Sequence, residues 1–406
     1  MQYIEGGICA PKGFQAAGVH CGIRKNKTKK DLALIVSKVP ASAAGVYTQN
    51  KVQGAPITVT KANLTAQNGY ARAIICNSGN ANTCNPNGIE IAQKTCALVG
   101  ETLSLPAESV LVASTGVIGM ELSLEPFQTG IPAVVNALSD SGSEDAAHAI
   151  MTTDTVKKET AVSFVLDGKT CHIGAIAKGS GMIHPNMATL LCFITTDVAI
   201  GPALLQQALK EAVDESLNQV SIDGDTSTND MALVMANGMA ENKEITEAGS
   251  AYSQFVQALT AVCVELAKKI AADGEGATKL LCCKVSGAPD VKTARVVAKS
   301  VISSSLFKAA MFGADANWGR ILCAMGYADA EYDISKTSVA LRSPAGRIEV
   351  CENAAALPFS EEKAALVLAE KEIHIEINLH QGAASASAWG CDLTYDYVKI
   401  NGDYRS

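Results

Sequence analysis

Aromatic residues make up only 5% of this 406-residue chain, 2 of them tryptophan. No apolar run approaches the roughly 18 uninterrupted residues that a membrane span needs. Apolar content nevertheless reaches 48% and is carried by Ala, Val, Ile and Leu, so it goes into cores packed from small aliphatic side chains. Positive charge is scarce as well. The formal net charge of −8 argues against nucleic acid and anionic membranes as partners. The single basic cluster, Arg24 to Lys30, is short and reads as a solvated loop. No C-x-x-C pair occurs among the 13 cysteines. Most sit in apolar runs such as Leu281-Cys282-Cys283, as reduced, buried thiols do, which predicts a cytoplasmic protein. Residues 1–10 lack a positive stretch followed by an apolar one, so no signal peptide is expected. The six histidines lack metal-ligand spacing, and neither a metal nor a cofactor is expected.

What is present is an alternation of strand and helix patterns over a length that suits two or three domains. Strand-like runs cover 71–76, 110–113, 189–198, 230–235 and 279–285, and strict alternation marks 374–379. Helix-like runs cover 89–105, 202–217 and 251–272. In the second, Leu204, Leu205, Ala208, Leu209, Ala212, Val213 and Leu217 form one apolar stripe. Composition changes after Gly287-Ala288-Pro289. The expected class is α+β, with a layered N-terminal catalytic domain (1–198), a middle helical α+β segment (199–286) and a smaller C-terminal α+β domain (287–406).

Three suggestive stretches fail on inspection. Gly168-Lys169-Thr170 resembles the end of a phosphate-binding loop, but Ser163 stands where the first glycine belongs and Asp167-Gly168 suits a hairpin turn. Gly179-Ser180-Gly181 lacks the third glycine of a dinucleotide fingerprint and leads into a strand. Asp223 to Asp230 has the flavour of a calcium loop, yet Thr228 and Val234 occupy the positions that need Gly and Glu.

The most unusual stretch is Lys178-Gly-Ser-Gly-Met-Ile-His-Pro-Asn-Met-Ala-Thr189, a glycine- and proline-punctuated loop running straight into an apolar strand. A threonine hydroxyl is a poor nucleophile without an adjacent base. A break between Ala188 and Thr189 would supply one, because a free α-amino group titrates at about 8. Taken by residue type alone, a loop entering a strand, with Thr chosen for β propensity, is the blander account. His184 in the same loop is a weaker candidate for the base than that amine.

Beyond this loop, Ser114 to Gly119, Met151 to Thr155, Asp223 to Asp230, Asp273 to Lys279, Gly313 to Arg320 and Asn401 to Ser406 follow, in order, the motifs of the ornithine acetyltransferase family (ArgJ, the glutamate N-acetyltransferases of arginine biosynthesis). The resemblance spans the chain, and motifs weak singly become specific in register. It implies a layered αββα fold of the N-terminal-nucleophile type, like ArgJ and the DmpA aminopeptidase, and self-cleavage into chains 1–188 and 189–406 assembled as α2β2. It implies Thr189 as nucleophile and Thr115 with Gly116 as oxyanion hole, where each lost donor costs about 3 to 4 kcal/mol. Thr152, Lys178, Thr189, Glu275, Asn401 and Ser406 match its substrate-binding positions. Lys178 and hydroxyls would suit the α-carboxylate of N-acetylornithine, and Glu275 its side-chain ammonium; outside the family pattern both would pass for solvated charges. Leu190 replaces a frequent Met and Ser406 a frequent Thr, each conservatively.

The expected reaction is ping-pong transfer of acetyl from N-acetylornithine to glutamate through a Thr189 ester, with acetyl-CoA left open as a further donor. An N-terminal-nucleophile aminopeptidase or amidase, with water as acceptor, is the alternative. A non-catalytic binding protein that stays uncut is a third reading, one in which Thr189→Ala would leave ligand affinity intact.

Overall fold

The computed structural model describes residues 1–184 and 190–403. Its first sheet takes β1 (Gln2–Ile4), β2 (Phe14–Val19), β3 (Leu32–Tyr47), β4 (Tyr70–Asn80), β5 (Val110–Val117), β6 (Lys158–Leu166), β7 (Lys169–Lys178) and β8 (Leu191–Thr196). After β9 (Val220–Ser221), which lies elsewhere, β10 (Met231–Ala236) completes it. The order is β1-β6-β7-β8-β10-β3-β4-β5, with β2 also paired to β3. Only β8–β10 and β4–β5 run parallel.

β8 and β10 are buried at every position, which is why β10 and the first four residues of β8 read as continuous apolar runs. Their two faces feed different cores. Leu191, Phe193, Met231 and Leu233 join Ile74, Cys76, Leu111 and Ala113 in an inner core that also holds α4 (Ser143–Ile150). Cys192, Ile194, Ala232 and Val234 pack instead beneath α5 (Pro202–Asp214) and α6 (Ser250–Ala272). On β4 and β5 the outward face carries α1 (Ala55–Ala66), α2 (Gly88–Leu103) and α3 (Glu125–Asn136). Helices therefore cover two outer faces while strand residues from both halves of the sheet meet inside, an αββα layering within the α+β class.

The apolar stripe expected at 202–217 is realised. Leu205, Ala208, Leu209, Ala212 and Val213 are buried on α5, with Leu217 buried just beyond it and Leu204 half-buried at its margin. Asp167-Gly168 links β6 to β7 as the expected two-residue hairpin turn.

The second sheet is built from β11 (Leu280–Ala288), β12 (Ser338–Ser343), β13 (Gly346–Glu352), β14 (Ala355–Ala356), β15 (Glu372–Asn378) and β16 (Ala384–Cys391), with β9 at one edge. β15 alternates between buried and half-buried positions as its sequence predicts. A separate core lies under α7 (Val291–Ser303), α8 (Ser305–Phe312), α9 (Trp318–Gly326) and α10 (Glu361–Leu368). Segment 199–286 contributes α5, α6 and β10 to the first layered body and β9 and β11 to the second sheet. No helix among the described residues is long and apolar enough to cross a membrane.

Candidate active site

β7 ends at Lys178, which pairs with Leu191 at the start of β8, so the chain between them leaves and re-enters at one end of the sheet. β10 starts level with it, Met231 opposite Leu191. The ends of β4 and β5 reach the same place through Asn229, whose side-chain amide donates to the carbonyls of Ala81 and Ser114 and whose carbonyl oxygen accepts from Thr83 Oγ1. Asn229 thereby ties the two halves of the sheet together beside one cavity of about 320 Å³.

That cavity gathers six residues from distant parts of the chain: Thr115, Gly116, Thr152, Lys178, Glu275 and Asn401. Every expected site residue that lies within the described chain is among them; Ala188, Thr189 and Ser406 fall outside the described residues. Gly116 closes the parallel β4–β5 pair at an irregular register. Its φ of +133° and a would-be Cβ only 2.4 Å from the Gly79 carbonyl carbon leave no room for a side chain.

Lys178 and Glu275 are only 8% and 9% exposed, unlike solvated surface charges. The Lys178 ammonium makes no hydrogen bond to a described residue. Asn401, on the C-terminal helix α11 (Tyr395–Asp403), donates from Nδ2 to Glu275 Oε2 at 2.7 Å. At Gly181 a Cβ would lie 2.4 Å from Glu275 Oε1, so the loop after β7 presses directly on that carboxylate.

Behind the cavity lies an ion cluster to which the sequence reading assigned no role. Lys158 is fully buried and its ammonium reaches Asp154 Oδ1 at 2.6 Å and Asp273 Oδ2 at 2.5 Å. Asp154 also accepts from the backbone N–H of Thr152 at 3.0 Å and of Gly179 at 2.8 Å. Asp273 accepts from Thr155 N–H at 3.0 Å, and its own carbonyl accepts from Ser180 Oγ at 2.7 Å. Burial alone would raise the Asp154 carboxyl, but the ammonium groups of Lys178 and Lys158 outweigh it and hold the group at about 2. One lysine thus clamps the three loops that carry Thr152, Lys178 and Glu275. The motifs Met151 to Thr155 and Asp273 to Lys279 contain both aspartates, so a signal was present; Lys158, in Lys157-Lys158-Glu159, looks like an ordinary surface charge.

His184 turns to Ser221, its Nδ1 3.0 Å from Ser221 Oγ. Burial, with a lesser contribution from the charge of Lys299, lowers its pKa to about 4, so the ring is neutral near pH 7. Asp223 is a tether: it accepts from the backbone N–H of Met182 and Ile183 at 2.6 and 2.7 Å. Among the described residues one group of metal-ligating type, Cys282, Glu372 and His374, lies together. It sits on β11 and β15 of the second sheet and lines no part of the cavity. Arg24, at the head of the basic loop, is half-buried and donates to the Met151 carbonyl, so that end of the loop is anchored.

A small cavity with a buried cation and a buried carboxylate fits a small zwitterionic molecule. Comparison with known proteins gives the class as acyltransferase. Residues 15–406 match the ArgJ family. The chain is 49% identical over 408 residues to the arginine biosynthesis bifunctional protein ArgJ of Symbiobacterium thermophilum, covering 100% of both chains. It is 51% identical over 394 residues to ArgJ 1 of Clostridium acetobutylicum, covering 97% of this chain and 96% of that one. The crystal structure of the Bacillus halodurans protein argJ is 46% identical with a TM-score of 0.50, covering 52% of this chain and 98% of that chain. The chain belongs to the ArgJ family, and it is an acetyltransferase of arginine biosynthesis.

Proposed function

We propose that the chain transfers acetyl from N-acetylornithine to glutamate by a ping-pong route through an acetyl ester on Thr189. What supports this reading most is one observation: Thr115, Gly116, Thr152, Lys178, Glu275 and Asn401, scattered over the sequence, line a single cavity. A smaller recess shared by Thr115 and Lys178 also borders Leu190, the neighbour of Thr189 in the chain. Thr189 attacks the acetyl carbonyl, Thr115 and Gly116 stabilise the oxyanion, and ornithine leaves. Glutamate then takes the acetyl group in the same pocket. Lys178 receives the α-carboxylate of either amino acid. Glu275, oriented by Asn401, receives the side-chain ammonium of ornithine, and Ser406 completes the substrate contacts.

Self-cleavage between Ala188 and Thr189 frees the amine that serves as base. The cut chains, 1–188 and 189–406, assemble as a cytoplasmic α2β2 enzyme. Its relatives are named bifunctional, so acetyl-CoA is proposed as a second donor; no cofactor takes part. Denaturing intact mass before and after N-acetylornithine tests the reading. Two chains divided before Thr189, the second gaining one acetyl group, are expected. A split without the gain would point to amidase chemistry, and one uncut, unaltered chain would overturn the mechanism.

A further inference from the structure

Self-cleavage poses a proton problem that turnover does not. In the cut enzyme the Thr189 amine is the base for its own hydroxyl. In the uncut chain that nitrogen belongs to an amide, whose lone pair is delocalised into the carbonyl. Some other group has to accept the hydroxyl proton.

Asp230 is suited to this by position. It immediately precedes β10 and is only 3% exposed. Its backbone lies level with Leu190, since the next residue, Met231, donates its N–H to the Leu190 carbonyl at 3.0 Å. Its carboxylate oxygen Oδ2 has no hydrogen-bond partner among the described residues. A buried polar atom without a partner is costly, so its presence asks for a use. Asp230 borders a recess of about 20 Å³ shared with Thr115, Lys178 and Leu190, room for about one water. Burial pushes its carboxyl well above the usual range, against the pull of the Ser227 hydroxyl and of Lys178. A carboxylate so placed is a stronger base than a solvated one.

We infer that Asp230 is the proton acceptor of self-cleavage, a role that rests on the Thr189 reading above. It takes the proton from the Thr189 hydroxyl as that oxygen bonds to the Ala188 carbonyl carbon. It returns the proton to the Thr189 nitrogen as the Ala188–Thr189 C–N bond breaks. The product is an ester between Ala188 and Thr189 Oγ, with a free amine. Water then hydrolyses the ester, leaving the Ala188 carboxylate and the restored hydroxyl, one water consumed per peptide bond broken.

Full-length chains synthesised in a cell-free pulse and followed by intact mass test this. Asp230→Asn keeps the shape and removes the basicity. It should be cut about 100-fold or more slowly than wild type at an unchanged melting temperature. Formate, a small carboxylate able to enter the space vacated in Asp230→Ala, should restore cutting in that variant. Cutting of Asp230→Asn before Thr189 at the wild-type rate would overturn the inference and leave the Thr189 reading intact. A wild-type chain that stays whole, or a Thr189→Ala chain that is cut, would overturn the Thr189 reading itself. Should Asp230→Asn melt early, formate decides: rescue of Asp230→Ala supports the role, and no rescue refutes it.

Discussion

Replacing Lys158 by Met removes the ammonium that touches both Asp154 and Asp273 while roughly keeping the side-chain volume. The two carboxylates would remain buried, with the Lys178 ammonium left to oppose the charge of Asp154. Breaking a buried ion pair in this way typically costs about 3 to 5 kcal/mol, which in a chain this long is a fall in melting temperature of about 4–6 °C. The variant should also change the acid side of the stability curve. Asp154 is held at about 2 against a usual 3.8, a difference of about 2 kcal/mol. Because the folded value is the lower one, this contribution is complete above pH 3.8 and disappears as pH falls through the folded pKa of about 2. Without Lys158 the folded pKa rises, so acid destabilisation starts at higher pH. Thermal melts of both proteins between pH 2 and 8 would measure both effects. Activity should fall as well, since Asp154 anchors the N–H groups of Thr152 and Gly179. A variant melting within a degree of wild type at pH 7, with the same acid limb, would refute the claim that this cluster braces the pocket.

Glu275→Gln keeps the shape and the contact with Asn401 but removes the charge. It should raise KM for N-acetylornithine about 10- to 100-fold, the range expected for losing one charge-assisted hydrogen bond, with little change in melting temperature; steady-state kinetics check it. Gly116→Ala pushes a methyl group into the Gly79–Asn80 backbone at a φ that only glycine adopts freely. A loss of about 1 to 3 kcal/mol of stability and of most acetyl transfer is expected, measured by denaturant melts and by the rate of ornithine release from N-acetylornithine.

Much of the layered body was legible because buried strands and amphipathic helices announce themselves. β10 is an unbroken apolar run and β8 opens with one, β15 alternates, and α5 and α6 have clear stripes. β3 did not stand out. Its sixteen residues contain Lys38-Val39-Pro40, which reads as a break, whereas here the strand continues through Pro40 while its pairing with β4 shifts register between Val36 and Ala41. The pocket residues were legible only as members of family motifs. Nothing local in the sequence tells that Lys178 and Glu275 are buried, since their burial comes from chain segments nearly a hundred residues apart. Lys158 was invisible for the same reason: a buried lysine is defined by its partners, and Asp273 lies far down the chain.

The position of β8 and β10 has a practical corollary. Both lie downstream of residue 189, yet their outer neighbours, β7 and β3, lie upstream of it. A chain divided before Thr189 therefore keeps two seams of backbone hydrogen bonds running through the middle of its first sheet, β7 to β8 and β3 to β10. Neither piece alone can hide those strand edges, and exposed edges of that kind invite aggregation. Heating or mild denaturant should release the pieces together in a single transition, and efforts to make an active enzyme from separately refolded halves will contend with sticky intermediates. If the chain cuts itself as proposed, folding has to come before cutting, because the scissors would be assembled only once both seams are sewn.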